Sequence, residues 1–256
     1  GSVRSLLSEK RLNNVEECLR TIIRDQIAGD VVEAGCWRGG CVMYMQAILG
    51  VLALEDKHPR RLWCADIFLE QANLFQSPWR FLLLKFVGYL HFLLPHSLKQ
   101  SFANLAMEGF PDENYDDATL NFVFGVCRAL PFLPKRGATD TSLKDVKEAF
   151  RRYRLPTERV QFVRGWFHDT LPQIGDEVDK ISLLRADADF YQSTKEILDN
   201  LYKRLVPGGF CIIDDYGAFP ECRRAVDEFR SKHGITEKIE MVDESACYWR
   251  KSTEVV

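Results

Sequence analysis

The sequence predicts an α/β fold, a doubly wound and mostly parallel seven-stranded sheet that carries a helical insertion. Three observations predict it. Short apolar segments alternate with amphipathic helical segments, the first apolar segment leads through a glycine-rich turn into an apolar helix, and acidic residues follow four of the apolar segments. The length of 256 residues fits one large domain with an insertion.

The first part of the chain has the order helix, strand, helix, strand. Apolar residues at helical spacing predict a helix within residues 13–27, and GDVVEAG is a short apolar strand that ends in an acid and a glycine. Gly39 and Gly40 turn the chain into an apolar helix, and RLWCAD is a second strand that ends at Asp66. This unit is typical of the opening of a doubly wound nucleotide-binding sheet.

The alternation stops between residues 70 and 138. This region contains the very apolar residues 81–95, which are too few for a membrane span and include a lysine and a histidine. We predict a helical lid or cap inserted into a single domain over residues 3–256. We expect it both to cover an apolar substrate and to form a homodimer interface, and the alternative is that its apolar residues are only the internal core of the cap. Residues 1 and 2 are interpreted as the remnant of a cleaved tag.

Regular alternation then resumes. DTSLKDVKEAFRRY predicts a helix with Asp140, Thr141 or Ser142 as its N-cap, and RVQFVRGWF and ISLLRADADF predict strands. STKEILDNLYKRL predicts a helix that ends at PGG, and FCIIDDYG predicts the next strand. A helix closed by Gly234 follows, and EKIEMV and ACYWRK are expected to form a hairpin at the sheet edge.

The acids that follow the strands suggest a cofactor site, because ligands of open α/β sheets bind beyond the carboxyl ends of the strands. Trp37 and Arg38 are bulky where a pyrophosphate needs close approach to the backbone, which disfavours NAD. A methionine-derived cofactor fits better, since it needs a backbone turn for its amino-acid end and an acid, here Asp66, for its ribose hydroxyls.

A second group of acids suggests a metal site. Asp187 ends one strand, and Asp214 and Asp215 end the strand expected beside it. Carboxylates this close repel one another unless a cation neutralises them. Oxygen ligands without a histidine or cysteine cluster favour a hard cation, Mg²⁺ first. The alternative is a set of solvated loop acids.

Composition excludes other classes of partner. The formal net charge of −3 provides no electrostatic basis for binding nucleic acid, and we expect no membrane partner. The eight cysteines are dispersed without a C-x-x-C pair, which argues against a zinc site. They predict structural thiols in a reducing, cytoplasmic compartment.

Four segments of the chain resemble the macrocin O-methyltransferase (TylF/MycF) family: RLNNVEECLRTIIRDQIAGDVVEAGCWRGG, VRGWFHDTLP, LRADADFYQSTKEILDNLYKRLVPGGFCIIDDYGAFPECRRAVDEFR and YWRK. The resemblance implies a Rossmann-like class I methyltransferase. It implies S-adenosylmethionine- and Mg²⁺-dependent methylation of a small-molecule hydroxyl in natural product or antibiotic biosynthesis. The acceptor would be a polyketide, a macrolide, a sugar or a carrier-tethered intermediate.

The resemblance also implies roles for individual residues. The expected cofactor contacts are Glu33, Gly35, Trp37, Arg38, Gly39, Gly40, Asp66, Ser142, Gly165, Trp166 and Asp187. The expected metal ligands are Asp187, Asp214 and Asp215. Apart from the resemblance, the convergence of acids at two strand ends makes Asp187 the expected catalytic base, with His168 as a rival, and Asp189 is expected to cap the next helix or to support the metal ligands.

Two departures from the family pattern concern the acceptor. The family's D-S-F-E-G-L-P-like run is DIFLEQANLF here, and its LDGD is ADAD. The residues expected to bind the cofactor and the metal therefore match the family pattern, whereas the identity of the acceptor is left open. Two alternatives remain at this point, O-methylation of a catechol-like molecule and a non-catalytic module of a biosynthetic megasynthase.

Overall fold

The computed structural model describes residues 7–68 and 142–252. The expected insertion over residues 70–138 and the candidate caps Asp140 and Thr141 lie outside the described residues, as does Cys127. The described fold is therefore that of the two regions on either side of the expected insertion.

Seven strands form one sheet in the described part of the chain: β1 (Asp30–Ala34), β2 (Leu62–Asp66), β3 (Val160–Arg164), β4 (Ile181–Ala186), β5 (Leu205–Ile213), β6 (Glu240–Met241) and β7 (Cys247–Arg250). Their order is β3-β2-β1-β4-β5-β7-β6. The first five strands are parallel, and β7 runs antiparallel to both β5 and β6. The predicted mostly parallel seven-stranded sheet is confirmed, and its order reverses between β1 and β4, where ligands of such sheets bind.

Helices cover both faces of the sheet: α1 (Glu9–Arg24), α2 (Gly40–Val51), α3 (Leu143–Arg152), α4 (Phe167–Glu177), α5 (Tyr191–Leu201) and α6 (Pro220–Lys232). One buried cluster joins α1, α2 and α3 to the sheet through residues such as Leu19 and Phe150. A second joins α4, α5 and α6 to the opposite face, with Leu198 and Phe229 among its members. The sheet is thus doubly wound, as predicted.

The junction between α5 and β5 differs from the prediction that PGG ends a helix. The helix α5 ends at Leu201, a 3₁₀ turn covers Tyr202–Arg204, and PGG lies inside β5. The register of β5 against β4 shifts here, because Leu205 pairs with Ile181 whereas Phe210 pairs with Leu183. The extra residues include Gly208, whose φ of +86° suits a glycine.

The predicted terminal hairpin is present as β6 and β7, with β7 against β5 and the two-residue β6 at the sheet edge. All seven cysteines in the described residues are buried and unpaired. Burial raises the pKa of Cys18 to about 12, so its thiol stays neutral, as expected of a structural cysteine. None of the described helices has the length and apolar character needed to cross a membrane.

Candidate functional site

The loop between β1 and α2 crosses directly over the end of β4. Gly35 has φ +96°, and a Cβ atom there would lie 1.7 Å from the main-chain oxygen of Asp187. The Gly35 N–H donates to the carbonyl of Ala65 at 2.8 Å, and Asp187 N–H donates to the carbonyl of Ala34 at 2.9 Å. Only glycine fits this crossing, which places the loop beside the acid that ends β4.

Asp66 at the end of β2 supports the same loop. The N–H of Trp37, which has φ +45°, donates to Asp66 Oδ2 at 2.7 Å. Burial raises the pKa of Asp66, and the backbone N–H of Trp37 opposes that rise. Asp66 Oδ1 makes a long 3.5 Å contact with the N–H of Phe68, and a carboxylate oxygen with its two lone pairs retains acceptor capacity for a ribose hydroxyl.

The remaining predicted residues of the turn close the loop onto the helix. The Arg38 guanidinium lies over the Trp37 ring, 4.6 Å from its centroid. Gly39 has φ +73° and stands at the N-cap of α2, which begins at Gly40. A Cβ on Gly39 would come within 2.7 Å of Val146 Cγ1 on α3. The turn therefore combines left-handed backbone with close packing.

The structure brings Asp187, Asp214 and Asp215 together. Ala186 on β4 pairs with Ile213 on β5, so Asp187 and Asp214 leave adjacent strands at the same level. One oxygen from each of the three carboxylates lies within 4.8 Å of the others, and Asp214 and Asp215 are buried. These oxygens are spaced for one small cation.

Burial, with neighbouring carboxylates, raises the pKa of two of these acids, Asp187 and Asp215. Burial raises the pKa of Asp187 well above its usual range, and although Arg185 opposes the rise, Asp214, Asp215 and Glu33 add to it. Burial and the carboxylates of Asp189 and Asp214 raise the pKa of Asp215 to about 7. A bound divalent cation would reverse both shifts.

Arg185, inside β4, is a residue of the site that the sequence pattern did not identify. Its side chain is 1 % exposed and forms ion pairs with Glu33, Asp187 and Asp214. The predicted cofactor residue Glu33 is likewise buried, and its Cα pairs with that of Arg185 across β1 and β4. The sequence feature that could have identified Arg185 is a charged side chain within a strand that is expected to be buried on both faces.

Arg11 and Asp243 are also part of the site, and sequence spacing gave no sign of either. Arg11 on α1 donates from Nη1 to Asp214 Oδ2 and from Nε to Asp243 Oδ2, both at 2.7 Å. Asp243 precedes β7 and accepts the N–H groups of Ser245 and Ala246. Although burial raises the pKa of Asp243, the Arg11 guanidinium and these two N–H groups outweigh it and hold the pKa below its usual range.

The group as a whole fits a hard divalent cation. Among the residues that the structure describes, five carboxylates, those of Glu33, Asp187, Asp214, Asp215 and Asp243, lie in contact with or beside two guanidinium groups, so the acidic groups outnumber the basic ones. The donors are oxygens, which Mg²⁺ prefers. Within the described residues, Oδ1 of Asp187 and Oδ1 of Asp215 accept no hydrogen bond.

Asp189 contacts one of the expected metal ligands, Asp215, through its backbone. It has φ +60°, and its N–H donates to Asp215 Oδ2 at 3.0 Å. The expectation that it caps the following helix is wrong, because Phe190 occupies the N-cap of α5. The alternative expectation, a supporting partner of the metal ligands, agrees with this hydrogen bond.

The predicted residues after β3 lie apart from the acid set. Three strand spacings separate β3 from β4, which corresponds to roughly 14 Å. Gly165 has φ +143° and ends the strand, and the rings of Trp166 and His168 stack at 6.5 Å. The His168 side chain is 56 % exposed and contacts Asp169 at 3.2 Å. Roles for these residues in cofactor binding or catalysis stay predictions.

Ser142 acts as the N-cap of α3. Its Oγ accepts the N–H of Asp145 at 3.1 Å and donates to the Asp145 carboxylate at 2.9 Å. We expect Ser142→Ala to lower the free energy of unfolding by about 1 kcal/mol, as loss of such a cap does. Because the cap already engages this hydroxyl, the affinity for S-adenosylhomocysteine, measured by calorimetry, should stay within twofold of wild type, contrary to the expected cofactor contact. A tenfold loss of that affinity at unchanged stability would instead assign the hydroxyl to the cofactor.

Comparison with known proteins adds a family assignment. The profile of the family described as macrocin O-methyltransferase (TylF) matches residues 2–76 and 135–251. Mycinamicin III 3''-O-methyltransferase of Micromonospora griseorubida is 34 % identical over 97 % of this chain and 78 % of its own length. An 8-demethyl-8-(2,3-dimethoxy-alpha-L-rhamnosyl)-tetracenomycin-C 4'-O-methyltransferase of Streptomyces olivaceus is 32 % identical over 96 % of this chain and 75 % of its own.

A solved structure has the same architecture. The O-methyltransferase NovP superposes with a TM-score of 0.69 and 29 % identity, covering 98 % of this chain and 84 % of that one. The sequence similarity and the structural similarity therefore extend over the same parts of the fold as the site.

Proposed function

The chain belongs to the macrocin O-methyltransferase (TylF) family and is an O-methyltransferase, and we propose that it transfers the methyl group of S-adenosylmethionine to a hydroxyl of a natural product with the help of Mg²⁺. The observation that carries this proposal is the set of Asp187, Asp214 and Asp215 oxygens within 4.8 Å at the switch point of the sheet. Family membership argues against a non-catalytic module.

The names of the relatives support a sugar hydroxyl as the acceptor. One relative is named for the 3''-oxygen of mycinamicin III and another for a 4'-oxygen in a rhamnosyl-bearing tetracenomycin. We extend this chemistry to the present chain as a glycosylated polyketide or similar compound. A catechol-like acceptor is the second candidate, because two neighbouring hydroxyls would suit the same acid set.

In the proposed mechanism, some residues of the site hold the metal and others bind the cofactor. When bound, S-adenosylmethionine supplies a sulfonium methyl group for the acceptor oxygen, and Mg²⁺ lowers the pKa of the acceptor hydroxyl. Asp187, Asp214 and Asp215 would hold the metal. The loop over residues 35–40 and Asp66 would bind the cofactor, so that both reactants are held before reaction.

Asp187 is the residue we assign as the base. Its side chain is 30 % exposed, its Oδ2 accepts from Arg185 at 3.0 Å, and its Oδ1 accepts no hydrogen bond from the described residues. Asp187 Oδ1 would take the proton of the acceptor hydroxyl as the methyl–oxygen bond forms and the methyl–sulfur bond breaks, which would leave S-adenosylhomocysteine. His168 is disfavoured for this step by its distance from β4.

Two further expectations remain proposals. The family profile matches on both sides of residues 77–134, which supports an insertion at this position in a single domain. The role of that insertion as a lid and the homodimer stay predictions.

The function is tested by methyl transfer from S-adenosylmethionine to a panel of acceptors that includes glycosylated polyketides, free deoxysugars and catechols. We expect methylated product from a glycosylated acceptor, loss of product with EDTA, and recovery with excess Mg²⁺. Full activity in EDTA would contradict the metal role, and methylation of catechols alone would favour the second candidate.

A further inference from the structure

Arg185 occupies an unusual position for a charged side chain. It lies inside β4, between β1 and β5, where its Cα pairs with Glu33 and Ile212. A buried guanidinium costs free energy unless ion pairs offset that cost. Arg185 Nη1 is shared by Glu33 and Asp187, and Nη2 contacts Asp214. One rigid planar group therefore sets the separation of two candidate metal ligands on adjacent strands.

Arg11 completes the arrangement from outside the sheet. Arg185 contacts Asp214 Oδ1, whereas Arg11 contacts Asp214 Oδ2 at 2.7 Å. Arg11 is itself anchored by Asp243, which also accepts from the Ser8 hydroxyl at 3.1 Å. Both oxygens of Asp214 are thus held by arginines that approach from different elements.

The backbone of Asp214 is equally constrained. Its N–H donates to the carbonyl of Ala186 at 2.9 Å, and its carbonyl accepts from the Ser245 hydroxyl at 2.7 Å. With the main chain and both oxygens fixed, the carboxylate of Asp214 has one orientation. Each carboxylate oxygen keeps a second lone pair, so Asp214 can still bind a cation in that orientation.

We propose that Arg185 and Arg11 are positioning residues, a two-arginine brace that orients Asp214 and Asp187 as ligands of the metal. The inference deepens the proposed function and rests on it. The brace raises metal affinity by fixing ligand geometry, although its positive charges by themselves repel a cation. Positioning and simple electrostatics therefore predict opposite effects when a brace arginine is neutralised.

Arg11→Gln is the decisive variant, because Arg11 is 19 % exposed and lies on a helix at the sheet surface, where its loss can be accommodated. Removing a group that orients a metal ligand typically costs 10- to 100-fold in affinity. We expect Arg11→Gln to weaken Mn²⁺ binding, measured by electron paramagnetic resonance titration, by about tenfold. Affinity for S-adenosylhomocysteine should be unchanged, which a general structural defect would not allow.

Two further variants sharpen the test. Arg20→Gln removes the same charge from the same helix, where Arg20 is 53 % exposed and pairs with Glu16, and it should leave Mn²⁺ affinity unchanged. Arg185→Lys keeps the positive charge but loses the planar guanidinium that contacts several carboxylates at once. It should therefore also weaken Mn²⁺ binding, while circular dichroism shows that the chain stays folded.

The outcomes separate the brace from the metal site itself. If the wild type binds Mn²⁺ and Arg11→Gln binds it equally or more tightly, the proposal of the brace is wrong and the proposed function is left intact. If the wild type binds no Mn²⁺, both the proposed metal site and the brace that rests on it are wrong.

Discussion

Asp187→Asn is expected to lower kcat by about 10³-fold, within the range that a general base contributes. The substitution keeps the shape of the side chain and removes its capacity to accept a proton. It leaves the loop crossing at Gly35 intact, because that crossing involves the main-chain oxygen of Asp187. The loss of kcat should therefore occur without loss of the fold, as measured by circular dichroism.

His168→Asn is the matched control for this result. His168 is the rival base, it is exposed, and it follows a strand three positions away from β4 in the sheet. We expect its kcat to stay within about threefold of wild type, since a residue that does not touch the reacting atoms contributes little to the barrier. The reverse pattern, with a large loss in His168→Asn and a small one in Asp187→Asn, would make His168 the base.

Gly35→Ala is expected to cause the largest loss of stability, at least about 3 kcal/mol in the free energy of unfolding. The added methyl group would meet the main-chain oxygen of Asp187 at 1.7 Å, in a backbone conformation with φ +96°. Neither the loop nor the end of β4 can move without disturbing the other. Chemical denaturation measures the change, and cofactor binding should be lost with it.

Gly50→Ala provides the comparison, because Gly50 lies near the end of α2 and a Cβ there meets nothing within 4 Å. This change should leave stability unchanged or raise it by up to about 1 kcal/mol, since alanine is the better helix former. A stability for Gly35→Ala within 1 kcal/mol of wild type would mean that the loop does not depend on this close approach.

Local patterns predicted the elements well where burial is periodic. The apolar spacing within residues 13–27 located α1, which begins earlier, at Glu9, because Ser8 caps it. The pattern failed at PGG, where a glycine pair usually ends a helix. Pairing of Leu205 with Ile181 extends β5 across that position, and such pairing is invisible to a local pattern.

The acid set was predictable because it depends on topology alone. In a parallel sheet the residues that follow neighbouring strands share one edge, and Asp187 and Asp214 follow strands in matching register. Arg185 and Arg11 were harder to predict. Arg11 and Asp243 stand 232 positions apart, and the contact arises only when α1 packs near the β6–β7 turn.

The central claim is that Asp187, Asp214 and Asp215 hold a divalent cation beside the cofactor, and anomalous diffraction tests it most directly. Crystals grown with Mn²⁺ and S-adenosylhomocysteine should show one strong anomalous peak, bound by oxygens of these three carboxylates at about 2.0–2.3 Å. An S-adenosylhomocysteine complex with no such peak, or with Mn²⁺ bound by other residues, would contradict the account.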